Sequence, residues 1–415
     1  MELMEKQGFK QTEVGNINLY PKDWKYLNLG NSAILKARIG WQGLTTAEYL
    51  KTGEYYLITG TDFNDGYIDW DNCVYVEKLR FDQDKNIQVK IGDVLVTKDG
   101  TIGKVAYVDK LPKNTTLNSG VFVIRPINNS YHPRYFYYVL MSEHFKQFLG
   151  KLTAGSTISH LYQKDFVNYD FPIPPTLEEQ KAIAAALSNV DELISNLDKL
   201  ITKKKAIKQG AMQQLLTPKE NWQTKKIKDL ARYRRGSFPQ PYGLPKWYDD
   251  ISGMPFVQVV DVDDNKKLKP ETKQKISDEG AKMSVFVKKG TIILTIQGSI
   301  GRICITQYDA YVDRTLLIFE SLLEDFNKYF FMITIWLKFQ IEKENAPGGI
   351  IKTITKEALS SFEISYPSRK EQDEIAKILS DIEDEIEQLE SKKTKYQSIK
   401  QGMMQELLTG KTRLI

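Results

Sequence analysis

The sequence predicts a mixed α/β fold in which two similar α/β domains are joined by two long antiparallel coiled-coil helices. Three observations support this prediction: a nearly identical helix end occurs twice, five blocks recur in the same order in both halves, and a helical spacing of apolar residues closes each half. The repeat distance of roughly 195 residues is far longer than a solenoid unit of about 20 to 50 residues. It indicates a duplicated domain followed by a duplicated helix, with a pseudo-two-fold internal repeat.

The repeated blocks align residue by residue. The segment IKQGAMQQLLTPK, from Ile207 to Lys219, agrees with IKQGMMQELLTGK, from Ile399 to Lys411, at ten of thirteen positions. The segments IGDVLVTKDGTIGKV and KKGTIILTIQGSIGRI align Thr97 with Thr295, Gly100 with Gly298, Gly103 with Gly301 and Lys104 with Arg302.

Composition places the chain among globular proteins. Its 415 residues, 41% of them apolar, suffice for two or three domains that each have a core. Cys73 and Cys304 are too few and too far apart for a disulfide framework or a cysteine metal site. The N-terminal MELMEKQGFKQTEVG lacks the apolar segment of a signal peptide, and the longest apolar run, Tyr329 to Leu337, is too short to span a bilayer. We therefore expect a soluble, cytoplasmic protein.

Both long helices have a clearly marked start. PTLEE at Pro175 and PSRKE at Pro367 each place a glutamate three residues after a Ser or Thr that follows proline, which is the capping-box pattern. Apolar residues then recur at spacings of four and three, typical of a coiled coil. They are Ile183, Leu187, Val190, Ile194, Leu197 and Ile201 in the first helix, and Ile375, Leu379, Ile382, Ile386 and Leu389 in the second.

The charges of these helices predict how they pair. Residues 371 to 390 hold nine acids and one lysine, whereas residues 391 to 415 hold six basic residues and one acid. The first helix has the same polarity, with a cluster of lysines from Lys199 to Lys208. Parallel pairing would set acid against acid, whereas antiparallel pairing sets acid against base and suits both helix dipoles. The C-terminal halves of both helices have a less regular apolar spacing, so a partner protein could pack against the helices there.

Glycine interrupts both helices at the same position. Gly210 and Gly402 each cost about 1 kcal/mol relative to alanine in a helix. A cost repeated at equivalent positions predicts a kink or the close approach of another backbone.

The domain boundaries follow from these signals. We assign residues 1–175 to the first α/β domain, 176–217 to the first long helix, 218–366 to the second α/β domain and 367–415 to the second long helix. Short strands are predicted by YYLITGTDF, DVLVTKDG, KVAYVD and GVFVIRP in the first half, and by FVQVVDV, TIILTIQ and RICIT in the second. The aromatic segments near Tyr135 and Tyr329 are predicted to be helices that pack in the core.

Signatures of catalysis are sparse. His132, His144 and His160 all lie in the first half, without zinc-ligand spacing. The C-terminal Gly410-Lys411-Thr412 resembles part of a P-loop, but Gln405 stands where the first glycine is needed. We therefore expect a reader or scaffold that needs no cofactor and no metal.

The chain resembles the DNA specificity subunit of type I restriction-modification systems. The resemblance consists of two variable α/β domains, each followed by a proline-capped helix with EQ near its start and QGxMQxLLT at its end. The resemblance extends from about Leu19 to Arg413. Its most specific elements are IPPTLEEQKAIAAAL with YPSRKEQDEIAKIL, QGAMQQLLT with QGMMQELLTGKTRL, and GTIGKV with GSIGRI.

The resemblance implies a function and a set of partners. In that family each variable domain, a target recognition domain, reads one half of an interrupted duplex DNA site, and the helices act as the spacer. Separate modification subunits methylate adenine, and restriction subunits translocate and cleave DNA. The repeated helix starts and ends would then contact two modification subunits. The residues implied are Glu179, Gln180, Gln209, Gly210, Glu371, Gln372, Gln401 and Gly402.

Candidate DNA contacts follow from residue chemistry, since Lys and Arg bind phosphate, Arg reads guanine, and Asn or Gln reads adenine. One segment, Lys219 to Arg235, carries seven basic residues against two acids, although it could be a solvated linker. The candidates in the first half are Lys36 and Arg38, beside Trp41, and Thr97, Lys98 and Lys104; those in the second half are Arg232, Arg234, Arg235, Gln297 and Arg302.

Two other classes of protein remain open at this point. One is a coiled-coil scaffold without a nucleic-acid role, which a salt-sensitive affinity for DNA would exclude. The other is a self-contained nuclease or methyltransferase, which activity of the chain alone with a metal or S-adenosylmethionine would support.

Overall fold

The computed structural model describes residues 9–10, 20–39, 43–153, 160–345, 354 and 356–414. Trp41 therefore lies outside the described residues. The chain forms two compact units: unit 1 comprises Met1–Lys199 with Glu390–Ile415, and unit 2 comprises Leu200–Leu389.

The elements up to the end of the first long helix are mostly short strands. The strands are β1 (Phe9–Lys10), β2 (Tyr20–Pro21), β3 (Lys25–Asn28), β4 (Ala33–Ala37), β5 (Tyr55–Ile58), β6 (Phe63–Asn64), β7 (Tyr67–Ile68), β8 (Val74–Val76), β9 (Val94–Thr97), β10 (Val105–Tyr107), β11 (Asn114–Leu117), β12 (Val121–Pro126) and β13 (Asp170–Ile173). The α-helices are α1 (Leu29–Ser32), α2 (Lys78–Asp82), α3 (Pro133–Met141), α4 (Glu143–Thr153), α5 (Gln163–Phe166) and the long α6 (Leu177–Leu215).

The remaining elements repeat this plan. The strands are β14 (Gln223–Lys226), β15 (Ala231–Arg235), β16 (Met254–Val257), β17 (Gln274–Ile276), β18 (Val285–Val287), β19 (Ile292–Thr295), β20 (Ile303–Ile305), β21 (Ala310–Val312), β22 (Leu316–Leu322) and β23 (Glu363–Tyr366). The α-helices are α7 (Ile227–Leu230), α8 (Asp278–Ala281), α9 (Lys328–Asn345), α10 (Lys356–Ser361) and the long α11 (Arg369–Leu407).

The sheets of the two units have the same strand order. Unit 1 has an antiparallel sheet β10-β9-β12-β4, and unit 2 has its equivalent β20-β19-β22-β15. Each unit also pairs one strand in parallel with its neighbour, β11 with β5 and β21 with β16, next to an antiparallel third strand. The prediction of a duplicated α/β domain is thereby confirmed, and the strands and aromatic helices form in the segments where the sequence predicts them.

The core of each unit contains residues from both long helices. In unit 1 the rings of α3 pack with Ile183 and Leu187 of α6 and with Leu407 and Leu408, at the end of α11. In unit 2 the rings of α9 pack with Leu379 of α11 and with residues at the end of α6. Burial of each of these side chains contributes roughly 1.5 to 3 kcal/mol, so the helix ends help to hold each domain together. Cys73 and Cys304 are both buried free thiols.

Ion pairs within each unit confirm the predicted antiparallel arrangement. In unit 1, Asp191 contacts Lys400 at 2.5 Å. In unit 2, Glu383 contacts Lys208, also at 2.5 Å. These two pairs occupy equivalent positions of the repeat, and each joins the acidic early part of one helix to the basic late part of the other.

The two acids of these pairs differ in their other neighbours. Asp191 accepts a hydrogen bond from the Tyr138 hydroxyl at 2.6 Å. Glu383 also has a tyrosine neighbour, Tyr329, and in addition faces Lys266, whose ammonium lies 3.2 Å away. Burial by itself would raise the pKa of Glu383, but Lys266 and Lys208 together hold it below its usual value.

The C-terminal tail closes unit 1. Arg413 pairs with Glu179, at the start of α6, and with Asp23 at 3.0 Å. Gly410 has a φ of +69°, and a Cβ there would lie 2.5 Å from Pro21. Glycine is therefore required, because it allows both the left-handed backbone and the close packing.

The ion pairs give a stability prediction with an internal comparison. We expect Lys400→Ala to lower the free energy of unfolding by about 1 to 3 kcal/mol, since the pair is largely shielded from solvent. Lys208→Ala should be milder, because Glu383 keeps its contact with the charged Lys266. The hydroxyl that remains bonded to Asp191 in Lys400→Ala, that of Tyr138, is neutral. Urea unfolding followed by circular dichroism measures both.

Lys377→Ala is the matched control. Its partner Asp381 lies one turn away on the same exposed helix face, and both side chains are more than half exposed. We expect a change below about 0.5 kcal/mol. If Lys400→Ala destabilises the chain no more than this control, the ion pair is not a determinant of helix pairing.

Candidate nucleic-acid interface

A threonine locks the same turn in both units. In unit 1 the Thr97 hydroxyl donates to the Thr101 carbonyl at 2.5 Å and accepts from the Lys104 amide at 2.9 Å. In unit 2 the Thr295 hydroxyl donates to the Ser299 carbonyl at 2.5 Å and accepts from the Arg302 amide at 2.9 Å. Both threonines are fully buried. The turn between the two hairpin strands is therefore held by a side chain that does not reach the surface.

Glycine allows this turn to pack against a helix. Gly103 and Gly301 have φ values of +79° and +85°. A Cβ on Gly103 would lie 2.3 Å from Leu149 of α4, and one on Gly301 would lie 3.0 Å from Phe339 of α9. The repeated GTIGKV and GSIGRI segments thus encode a hairpin turn that packs closely against a helix.

A second loop next to this turn is held by an aspartate in both units. Asp62 is buried and accepts from the Thr59 amide at 2.7 Å, just after β5. Asp261 is buried and accepts from the Gln258 amide at 2.8 Å, just after β16. A third loop is bonded to the strand that precedes the second loop. In unit 1 the Asn118 amide donates to the Ile58 carbonyl, and in unit 2 the Asp313 amide donates to the Val257 carbonyl. Each unit therefore presents three loops on one shared backbone frame.

Several predicted DNA contacts lie on exposed parts of this frame. Lys36 on β4 and Arg234 on β15 are both exposed and face equivalent strand positions, Val123 and Ile318. Arg232, Arg235, Gln297 and Lys104 are also exposed. Lys98 is half-buried, with its ammonium 5.3 Å from the centre of the Phe122 ring.

Arg302 makes a local ion pair at the edge of its turn. Its guanidinium contacts Asp264 at 2.8 Å and donates to the Val262 carbonyl. The side chain is partly exposed. It braces the turn while leaving part of its positive charge at the surface.

Arg38 has an internal function in the structure. The residue is 1% exposed, and its guanidinium donates to the Leu117 carbonyl at 2.9 Å and to the Thr116 hydroxyl at 3.1 Å. Burial lowers the pKa of this side chain from its usual value. Arg38 and Thr97, both singled out above as DNA contacts, instead hold the frame, because their polar groups are bonded inside unit 1.

The glutamines at the helix starts also bond within the chain. The Gln180 side chain accepts from the His132 amide at 2.8 Å, immediately before α3. The Gln372 side chain accepts from the Asn327 amide at 3.0 Å, immediately before α9. Both are 2% exposed, so each ties a long helix to the aromatic helix of its unit.

The glutamates beside them pair with a basic residue from the opposite helix end. Glu179 is buried against Arg413, and Glu371 contacts Lys219 at 2.7 Å. The four residues Glu179, Gln180, Glu371 and Gln372, suggested above as partner contacts, therefore join parts of this chain to one another.

The helix ends line a groove in each unit. The groove of unit 1 has a volume of about 520 Å³ and lies between the end of α11 and the junction of α3 with α4. The groove of unit 2, of about 600 Å³, lies between the end of α6 and helix α9. Equivalent residues line both: Gln401 and Gln209, Met404 and Met212, Gln405 and Gln213, Leu408 and Leu216, and Thr409 and Thr217.

The repeated glycines lie next to these grooves on unbroken helices. Gly210 and Gly402 are exposed, and a Cβ on either would meet nothing within 4 Å. The predicted close approach of a backbone therefore does not occur within the described chain, and the kink stays a prediction. Nothing in the described packing of this chain accounts for a glycine at both positions.

The described residues form neither a metal-binding cluster nor a membrane-spanning helix. Across the described ranges, no group of three or more His, Cys, Asp or Glu side chains is arranged to hold a metal ion. Within the same part of the chain, no helix has both the length and the apolar character that crossing a bilayer demands.

Comparison with known proteins identifies the family. A model of the type I restriction modification DNA specificity domain matches residues 21–209 and again residues 219–401. The putative type I restriction enzyme MjaX specificity subunit of Methanocaldococcus jannaschii is 27% identical, with 100% of this chain and 99% of that protein aligned. The type I restriction enzyme MjaVIII specificity subunit of the same organism is 24% identical, over 100% and 98% of the two chains.

Solved structures share the fold. The type I restriction-modification system S subunit from M. genitalium superposes with a TM-score of 0.62 at 15% identity, covering 96% of this chain and 97% of that one. A chain from a study of complex assembly and conformational transition of the type I R-M system gives a TM-score of 0.56 at 14% identity, covering 95% and 99%. With two copies of the family domain spanning most of its length, this chain belongs to the family of DNA specificity subunits of type I restriction-modification systems.

Proposed function

We propose that this chain recognises a bipartite, interrupted site in double-stranded DNA, with one half-site read by each unit. It directs adenine methylation by two modification subunits and, through the same complex, the action of restriction and translocase subunits. The chain itself contributes sequence recognition, needs no cofactor and catalyses no reaction. Relatives named as specificity subunits over their full length support this assignment.

The observation that carries the proposal is the duplicated frame of three loops. Two units with the same backbone bonds and different exposed side chains are suited to reading two different sequences in the same geometry. Exposed basic residues beside the loops, including Lys36, Lys104 and Arg234, supply the positive charge that phosphate binding requires.

The test is to express the chain with its modification subunit and map methylated adenines across a genome. We expect one interrupted motif, and we expect replacement of residues 218–366 by the equivalent domain of a relative to change only one half of that motif. Complexes without this chain are the control. Methylation at a single uninterrupted site, indifferent to the replacement, would contradict the proposal.

Lys36 and Arg234 are proposed to bind phosphate, since they lie at equivalent positions on the edge strands of the two antiparallel sheets. We expect Lys36→Ala or Arg234→Ala to weaken binding to all sequences equally and to reduce the salt dependence, d log K/d log[salt], by about one. Fluorescence anisotropy on duplexes between about 50 and 200 mM salt measures this.

Lys377→Ala again serves as the control, because it removes one charge on a helix and leaves the sheets unchanged. Its salt dependence should match that of the unmodified chain. An altered sequence preference in the Arg234→Ala complex would show that this residue reads bases and would contradict a phosphate role.

The two grooves are proposed as the docking sites for two modification subunits. Their equivalent lining from Gln209 and Gln401 onwards supports two copies of one partner, because matching surfaces bind matching groups. The exposed Gly210 and Gly402 beside them are suited to the close approach of a partner backbone.

Glycine replacement separates docking from stability. We expect the double variant Gly210→Gln and Gly402→Gln to raise the free energy of unfolding by about 0.5 to 1 kcal/mol per site, since the added side chains meet open space. The same variant should bind the modification subunit at least about tenfold more weakly, because the side chains obstruct the partner. Chemical unfolding and analytical ultracentrifugation report the two effects.

Ala185→Gln is the matched control, since it adds the same side chain at an exposed position early in α6. It should leave assembly unchanged. Unaltered assembly of the double glycine variant would argue against docking beside the grooves.

A further inference from the structure

We propose that one pair of loop residues in each unit determines which bases that unit reads: Gln297 with Arg314 in unit 2, and Asp99 with Ser119 in unit 1. This inference rests on the proposed function and assigns the residues that carry it. Arg314, Asp99 and Ser119 were not among the candidates that the sequence suggested.

The strand register brings each pair onto two neighbouring loops. In unit 2 the ladder between β19 and β22 ends where Thr295 faces Leu316. The Ile296 amide then donates to the Thr315 carbonyl at 3.0 Å. Gln297 and Arg314 follow directly, in the two loops that continue from these neighbouring strands.

Unit 1 repeats this arrangement. The ladder between β9 and β12 ends where Thr97 faces Val121. The Lys98 amide then donates to the Gly120 carbonyl at 2.8 Å, and Asp99 and Ser119 follow in the two adjoining loops. The two pairs therefore occupy the same place on the shared frame and differ only in their side chains.

Residues other than the pairs hold the backbone around them. The threonine of each turn, the buried aspartate of the adjacent loop and the backbone bonds of the third loop are the same in both units. The side chains of the pairs are consequently free to differ without a change in the loops. A specificity-determining residue requires this arrangement, in which other residues hold its backbone while its own side chain varies.

The chemistry of the unit 2 pair suits a guanine and an adenine. Both side chains are exposed. The Arg314 guanidinium lies 5.6 Å from the centre of the Tyr242 ring, and such stacking leaves the in-plane N–H groups available for bidentate contact with guanine O6 and N7. The Gln297 amide can make the corresponding bidentate contact with adenine N6 and N7.

The unit 1 pair suits a different base. The Asp99 carboxylate is an acceptor for the N4 amino group of cytosine, and it is oriented by the imidazole of His160. The Ser119 hydroxyl lies 3.2 Å from the Asn118 side-chain oxygen and can contact more than one base. We therefore assign cytosine preference to unit 1, and guanine and adenine preference to unit 2.

The experiment transplants one pair onto the other frame. The complex of this chain with its modification subunit selects duplexes from a library randomised over both half-sites, and the bound duplexes are sequenced. We expect Gln297→Asp with Arg314→Ser to lose the guanine and adenine preferences in one half-site, each by about 5- to 150-fold. The other half-site should be unchanged, and the reciprocal Asp99→Gln with Ser119→Arg should alter that half alone.

Lys289→Ala is the control, because it removes one exposed positive charge of unit 2 just before β19 begins, at the opposite end of the strand from Gln297. The selected motif should stay the same. If the transplanted complex binds too weakly for selection, Arg314→Lys is used instead. Lysine keeps the charge but lacks the bidentate fork, so the guanine preference should fall while binding remains.

The outcomes separate this inference from the function on which it rests. If the unmodified complex selects no two-part motif, the proposed function fails, and this inference fails with it. If it selects one, and the transplanted pair or Arg314→Lys leaves both halves unchanged, the pair does not determine specificity although the function stands. A change in both halves at once would also overturn the assignment.

Discussion

The opposite charge gradients of two antiparallel helices are the constraint on which each unit depends. Each helix is acidic where it begins and basic where it ends, so the two attract only in opposite directions. The duplicated pairs of Asp191 with Lys400 and Glu383 with Lys208 fix that direction inside each unit. The apolar helix ends can then enter the cores beside the aromatic helices. Charge selects the arrangement, and burial supplies most of its stability.

Regular patterns made much of the fold predictable from the sequence. The heptad spacing and charge gradients predicted the helices and their direction, because periodicity is a local property. The buried glutamines were misjudged, since the amide that Gln180 caps belongs to His132, 48 residues earlier in the chain. No local pattern reveals such a partner. The same reason explains Arg38, whose burial depends on a strand about 80 residues later.

The candidate site was predictable only in part. Thr97 and Lys104 recur as Thr295 and Arg302, and this recurrence indicated the hairpin turn. A recurring residue serves a need that both units share, which here is the hydrogen bonding of the threonine that holds the turn. Residues that read different sequences are expected to differ between the copies. Arg314 lies in a short connection without a recognisable motif, and only the pairing of β19 with β22 brings its loop beside that of Gln297.

The closure of unit 1 by the C-terminal tail has a consequence for biosynthesis. A chain is made from its N-terminus and domains generally fold in that order. Unit 2 is one continuous stretch of sequence, whereas unit 1 needs residues 390–415 to fill its core and to supply Arg413. Unit 1 thus begins to emerge from the ribosome before unit 2 and is completed after it. A nonsense mutation at codon 390 would remove part of unit 1 and leave the whole sequence of unit 2 in place.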